Sequence, residues 1–267
     1  SAALCPCWSE MTCMEAAKAG QLPALRWLRG QGCPWDAWTT SAAAAGGHLP
    51  VLEYAAAEGC PWHAGACSAA AGHGHLQTLQ WLRAQGCPWN AWTCSSAARG
   101  GHLEVLQWAR GQGCAWDEGT CSAAAERGHL AILQWCRAQG CPWGAGTMAA
   151  AAGSGHLELA QWCRAAGCPW DERAPEAAAR GGHAELLRWL HAAGCRWDSW
   201  TAKAVAGRGD LELLRWLRQQ GCPWHEAACR EAAAGGHLEV LQWAVAEGCP
   251  VDSLTAMVAA RRRGRRR

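Results

Sequence analysis

The chain has 267 residues, half of them hydrophobic, enough to bury a sizeable core in one or two domains. Its formal charge of +2 conceals an asymmetry: residues 261–267 hold six Arg, and without them 18 basic residues face 22 acidic ones. The body is therefore not the basic surface a nucleic-acid reader needs, no apolar run approaches the roughly 18 residues of a membrane span, and no stretch reads as a signal peptide. The composition is skewed, with 20 Trp, 18 Cys and 32 Gly against one Tyr and no Phe. Trp, Cys, Ala, Gly and Arg all have GC-rich codons, so part of the skew carries no functional meaning.

Along the chain the dominant signal is repetition. The first residues match the inside of a loop, Cys7-Trp8 standing where Pro34-Trp35 stands later. Gly-His then recurs at Gly47-His48, Gly74-His75, Gly101-His102, Gly128-His129, Gly155-His156, Gly182-His183 and Gly236-His237, with Gly20-Gln21 and Gly209-Asp210 in the remaining slots. The step is 27 residues each time, without insertion. A Gly-Cys-Pro-Trp landmark keeps the same step, as at Gly32–Trp35, Gly86–Trp89 and Gly221–Trp224. After the last landmark only a lone first helix, Thr255–Ala260, is expected before the tail.

Within one unit, Thr93 is expected as a helix N-cap, because its hydroxyl can accept an early orphan N–H. A short Ala-rich helix, Cys94–Arg99, should follow, since Ala favours helix and lets neighbours approach closely. Gly100-Gly101 allows a tight reversal. The second helix should run from about His102 to Gln112, with Val105, Leu106, Trp108 and Ala109 on one arc and Glu104, Gln107 and Arg110 opposite. Gly113 and the residue two positions on, usually Pro, stop it. One such unit cannot cover its apolar arc; stacked units can.

The stretch Thr120–Cys141 resembles the ankyrin repeat. The Ala pair, the Gly-His and the I-V-x-L-L stretch of that family align with Ala124-Ala125, Gly128-His129 and Ile132–Cys136, and the final Gly-Ala with Gly140-Cys141. Pro175 stands in the column of the family's helix-starting Pro. The period here is shorter than the family's roughly 33 residues, and most of the difference falls where ankyrin repeats project a β-hairpin. The expected fold is thus all-α: an α-solenoid of ankyrin-like helix-turn-helix repeats, with short loops in place of fingers. About nine repeats occupy 1–260, incomplete at both ends, followed by an Arg-rich disordered tail, 261–267. The resemblance implies protein–protein binding without catalysis.

No constellation departs from the repeat in the way catalytic sites do, so no catalytic, cofactor or metal residue is expected, and no cofactor. Cysteines form two main columns, one at Cys33, Cys60, Cys87 and onward, the other at Cys67, Cys94, Cys121 and Cys229. Neighbours within a column are about 8–10 Å apart across packed helices, too far for a disulfide or a shared zinc ion. They read as small buried residues in a reducing compartment, with Cys5 and Cys7 the more reactive thiols. The Gly-His histidines read as partners for backbone groups in the turns, and the two Trp rows as packing ladders.

A partner should meet positions that vary between repeats: Trp38, Trp92 and Trp200, which interrupt the loop pattern, and Arg99, Glu118, Glu126, Glu172, Arg173 and Arg180 around them. The expected function is a non-enzymatic protein-interaction scaffold, intracellular and cytoplasmic, or nuclear through the Arg tail. A protein is expected as partner, with nucleic acid disfavoured, no membrane association, and the chain a monomer or a segment of a longer array. The alternative is an RNA-binding array using the tail or the stripe of Arg83, Arg110, Arg137 and Arg164 beside Gln80, Gln107, Gln134 and Gln161, a pattern comparable with one-base-per-repeat readers.

Overall fold

The computed structural model describes residues 9–251; Cys5, Cys7, the expected helix Thr255–Ala260 and the Arg tail lie outside them. The chain divides into two compact units, Ser1–Pro142 and Trp143–Arg267. In the first, helices alternate as α1 (Glu10–Lys18), α2 (Leu22–Gly30), α3 (Ala37–Ala45), α4 (Leu49–Ala57), α5 (Ala64–Gly72), α6 (Leu76–Ala84), α7 (Ala91–Gly100), α8 (Leu103–Gly111), α9 (Glu118–Glu126) and α10 (Leu130–Ala138). The second holds α11 (Ala145–Gly153), α12 (Leu157–Ala165), α13 (Arg173–Gly181), α14 (Ala184–Ala192), α15 (Ser199–Arg208), α16 (Leu211–Gln219), α17 (Ala228–Gly235) and α18 (Leu238–Ala246). No strand occurs among the described residues, and no helix there is long and apolar enough to cross a membrane. The fold is the expected all-α solenoid of helix pairs.

Within each unit the odd-numbered helices pack tightly on one another, α1 on α3 on α5 on α7 on α9, and α11 on α13 on α15 on α17. Their Ala-rich faces permit this: Ala43, Ala44, Ala70, Ala71, Ala97 and Ala98 are fully buried. Even-numbered helices supply the larger apolar residues, and Val105, Leu106 and Ala109 of α8 are buried as their spacing predicts, with Trp108 at the half-buried edge.

The helix starts differ from expectation. Thr39, Thr93, Thr120, Thr147 and Thr201 are not caps; they lie in the first turns, fully buried. The caps sit three residues earlier. Asp36 accepts N–H bonds from Trp38 at 2.9 Å and Thr39 at 3.3 Å, while Thr39 Oγ1 accepts from the Asp36 N–H, closing a capping box. Asn90, Asp117 and Asp198 cap α7, α9 and α15 through their side-chain oxygens, and His63 caps α5 through Nδ1. The first helix therefore begins at Ala91 rather than Cys94. The hydroxyls of Thr93 and Thr120 bond instead to Ser68 and Ser95 of the preceding repeat, each at 3.3 Å.

Both landmark dipeptides finish helices in the same way. After α3, Gly47 takes φ +71°, its N–H bonds Ala44 O, and the His48 N–H reaches back to Ala43 O. After α4, the Gly59 and Cys60 N–H groups do the same to Ala56 O and Ala55 O. This is the Schellman arrangement, in which the residue after the left-handed Gly packs inward. It accounts for one Cys column: a small apolar residue fits that buried position.

The histidines join successive repeats rather than closing their own turns. His48 Nε2 lies 3.0 Å from Lys18 O, His75 2.9 Å from Ala45 O and His129 3.2 Å from Arg99 O; in the second unit His183 reaches Gly153 O and His237 reaches Gly207 O. Each ring covers the left-handed Gly of the repeat before it, so a Cβ at Gly47 would lie 2.7 Å from His75 Nδ1. Where Asp210 replaces His, Arg208 donates from Nη1 to Arg180 O at 3.0 Å, the carbonyl a histidine would have taken, and Asp210 caps α16 instead.

Candidate functional site

The Trp ladders are packing elements. Trp62 meets Trp81 edge-on at 6.3 Å, Trp89 meets Trp108 at 5.9 Å and Trp116 meets Trp135 at 5.7 Å; in the second unit Trp143–Trp162, Trp170–Trp189 and Trp197–Trp216 repeat the contact. The Arg stripe belongs to them. Arg29, Arg83, Arg110 and Arg218 each donate to the carbonyl of the Cys four residues on. Each guanidinium also lies over the following loop Trp, 4.1 Å from the ring for Arg83 on Trp89 and Arg110 on Trp116. Arg137 makes the same bond to Cys141 O, and Arg164 the same stack on Trp170. A cation thus satisfies a loop carbonyl just past the helix end and gains a cation–π contact. His191, in the Arg column, stacks on Trp197 at 3.9 Å.

Trp27, in the row of the even-numbered helices, is 56 % exposed, and three tryptophans stand outside both rows. Trp38, Trp92 and Trp200 are 62, 69 and 45 % exposed, each the second residue of an odd-numbered helix. The Asp36, Asn90 or Asp198 cap binds their backbone N–H and fixes the chain there. Two rest against a histidine of the next repeat: Trp38 edge-on to His63 at 5.2 Å, and Trp200 on His225 at 4.3 Å. Asp117 fills that histidine column after Trp92, leaving it the most exposed of the three. The loop pattern alone did not point to His63 and His225, because their shared register with the Trp becomes visible only once the Asp/His/Asn column is recognised as the cap.

Around Trp200 the second unit forms a groove of about 290 Å³, lined by Glu176, Arg180, Trp200, Lys203, Ala204, Gly207, Arg208 and Glu231. The Lys203 ammonium lies 4.5 Å from the Trp200 ring and 3.6 Å from Glu231, and Arg180 pairs with Glu176. The groove offers an aromatic face flanked by both signs of charge. The other expected positions are surface groups. Arg99 pairs with Glu126 across one repeat, in the first unit. Arg173 pairs with Asp171 at 2.8 Å, where the guanidinium holds the Asp171 carboxyl below the usual carboxylate range. Glu118 and Glu172 are exposed at the starts of α9 and α13. Thus Arg180 joins Trp200 in one groove, Arg99 and Glu126 meet in an ion pair in the first unit, and the remaining expected residues stand as surface groups on their own units.

All sixteen described cysteines are buried, with no disulfide among them. Cysteines of different columns nevertheless meet. Cys13 contacts Cys33, Cys67 contacts Cys87 and Cys94 contacts Cys114. In one repeat three thiols converge: the Sγ atoms of Cys121, Cys136 and Cys141 all lie within 4.8 Å of one another.

Stacked helix pairs with exposed, variable side chains on a repeated frame define a helical-repeat array. Residues 67–110, from α5 to α8, match the family model described as ankyrin repeats (many copies), so ankyrin-type repeats are present in the chain. No curated protein matches it. Similar solved structures include the pentatricopeptide repeat protein PPR10 in complex with an 18-nt psaJ RNA element, and a triple Cys-to-Ser variant in complex with the same element. Each is 15% identical with TM-score 0.48, and the match covers 92% of this chain and 44% of the other, so the chain spans under half of those proteins. Both of those neighbours are RNA complexes, whereas the sequence of this chain disfavours nucleic acid as a partner.

Proposed function

We propose that the chain is a non-enzymatic, ankyrin-type scaffold that works by protein–protein interaction in a reducing compartment. The observation that carries this is the exposure of Trp38, Trp92 and Trp200 at helix starts, outside the register of the two Trp rows that pack as ladders; in those rows Trp27 is the exposed member. Aromatic residues beside paired charges are common interface anchors, and the groove at Trp200 supplies both. The uniform columns are absorbed by stacking, so variation between repeats is left to these surface groups.

RNA binding is the second reading. It draws on the same tryptophans, since bases stack on exposed rings, and on Lys203 beside Trp200. Affinity capture with the wild-type chain and a W38A/W92A/W200A variant separates the two. A protein recovered by the wild type and lost by the variant supports the scaffold reading. RNA recovered in its place, with affinity falling steeply as salt rises, selects the second. A partner held equally by the variant removes both.

A further inference from the structure

Three cysteine columns run through the repeats, and among the described residues they are all occupied by Cys in one repeat only. The first-helix column holds Cys94, Cys121, then Met148; the second-helix column holds Leu82, Ala109, Cys136, then Cys163; the column after the left-handed Gly is Cys throughout. Only the repeat spanning α9 and α10 therefore assembles Cys121, Cys136 and Cys141. All three are fully buried, and their sulfur atoms approach within 4.8 Å pairwise. No carboxylate or imidazole belongs to the group.

We propose that Cys121, Cys136 and Cys141 form a three-coordinate thiolate site for Cu(I). A metal about 2.3 Å from each of three sulfurs in a plane sets those sulfurs about 4 Å apart, so closing the site asks for shifts below about 1 Å. Soft thiolates select soft cations. Structural zinc sites take four ligands, whereas this cluster offers three and is sealed from water. Arg137 donates to the Cys141 carbonyl, which brings a positive charge close to the cluster. Binding forms three Cu–S bonds, and the protons of the three thiols are released to solvent; no oxidation state changes.

The test uses the reduced full chain without oxygen, titrated with Cu(I) against the chromogenic chelator bathocuproine disulfonate. The wild type should retain one equivalent at a chelator concentration that strips C136A, with X-ray absorption reporting three sulfur neighbours. The loss in affinity should exceed the roughly 10–100-fold typical of removing an outer-shell partner. C136A reproduces the Cys–Ala–Cys set of the preceding repeat, Cys94, Ala109 and Cys114, so it retains a fold the chain already uses; circular dichroism checks this. C121A, whose Ala matches Ala202 in its column, should lose copper to the same degree. Equal retention by C136A, two sulfur neighbours in the wild type, or no copper held by the wild type beyond that held by either variant would each overturn the site.

Discussion

Replacing Gly47 with Ala tests how the repeats are fastened together. Gly47 has φ +71°, a conformation that costs an L-residue about 1–2 kcal/mol. The added Cβ would also lie 2.7 Å from His75 Nδ1. The ring must then move off the turn and give up its bond to Ala45 O at 2.9 Å, a net loss of about 0.5–1.5 kcal/mol. G47A should therefore destabilise by about 1.5–3.5 kcal/mol, the sum of those two effects, and H75A by the hydrogen-bond part alone. In G47A/H75A the backbone strain persists, but the displaced hydrogen bond is lost only once. The double variant should sit close to G47A, with a coupling of about 1 kcal/mol. Urea unfolding followed by far-UV circular dichroism reads all four proteins. Strict additivity would show that the glycine and the histidine act independently, and the account of the junction would fail.

Three further outcomes follow from the same geometry. R208A should destabilise the second unit by about 0.5–1.5 kcal/mol although Arg208 is exposed, and R208A/D210H should recover much of the loss by restoring the usual histidine; thermal unfolding that ranks the double variant below R208A contradicts this. Thr201 Oγ1 is buried without a hydrogen-bond partner, since Glu176 occupies the column that gives Thr120 its serine. T201V should accordingly be neutral or stabilising and T120V destabilising by about 1 kcal/mol, and equal losses in both would refute the distinction. Burial holds His102 below its ordinary value of 6.5, with charge from His73, His75 and His129 adding to the effect. The folded state therefore binds fewer protons than the unfolded chain. Stability from this group is present above pH 6.5 and is lost as pH falls below it, toward the folded value. An H102Q variant should show a flatter urea midpoint against pH between 7 and about 5, and an unchanged slope would assign the effect elsewhere.

The period, the helix pairs and the ladder role of the tryptophans could be read from residue spacing because every copy repeats one packing problem. Helix starts were harder to place. Thr93 has the chemistry of a cap, yet the same short side chain fits a buried first-turn position bonded to Ser68, and Asn90 stands free to cap. The histidines were legible as backbone partners, but the carbonyl they reach lies thirty residues back, in the preceding repeat. A similar gap hid the thiol cluster: distances along a column are set by the stack, while Cys121, Cys136 and Cys141 come together across one helix pair. The Arg stripe looked available to a ligand because sequence gives no sign that each guanidinium bends onto the loop that follows its helix.

The histidine junction also governs how the array can change in length. Excising residues 46–72 removes one period and would set the His75 ring over Gly20, with Lys18 O in the place of Ala45 O, the position His48 now holds. Because each histidine junction uses the same atoms at the same interval, loss or duplication of a whole period between two of them recreates it without any compensating substitution. Frameworks of this kind can be shortened or extended by recombination between their own copies, while the exposed residues on each copy diverge.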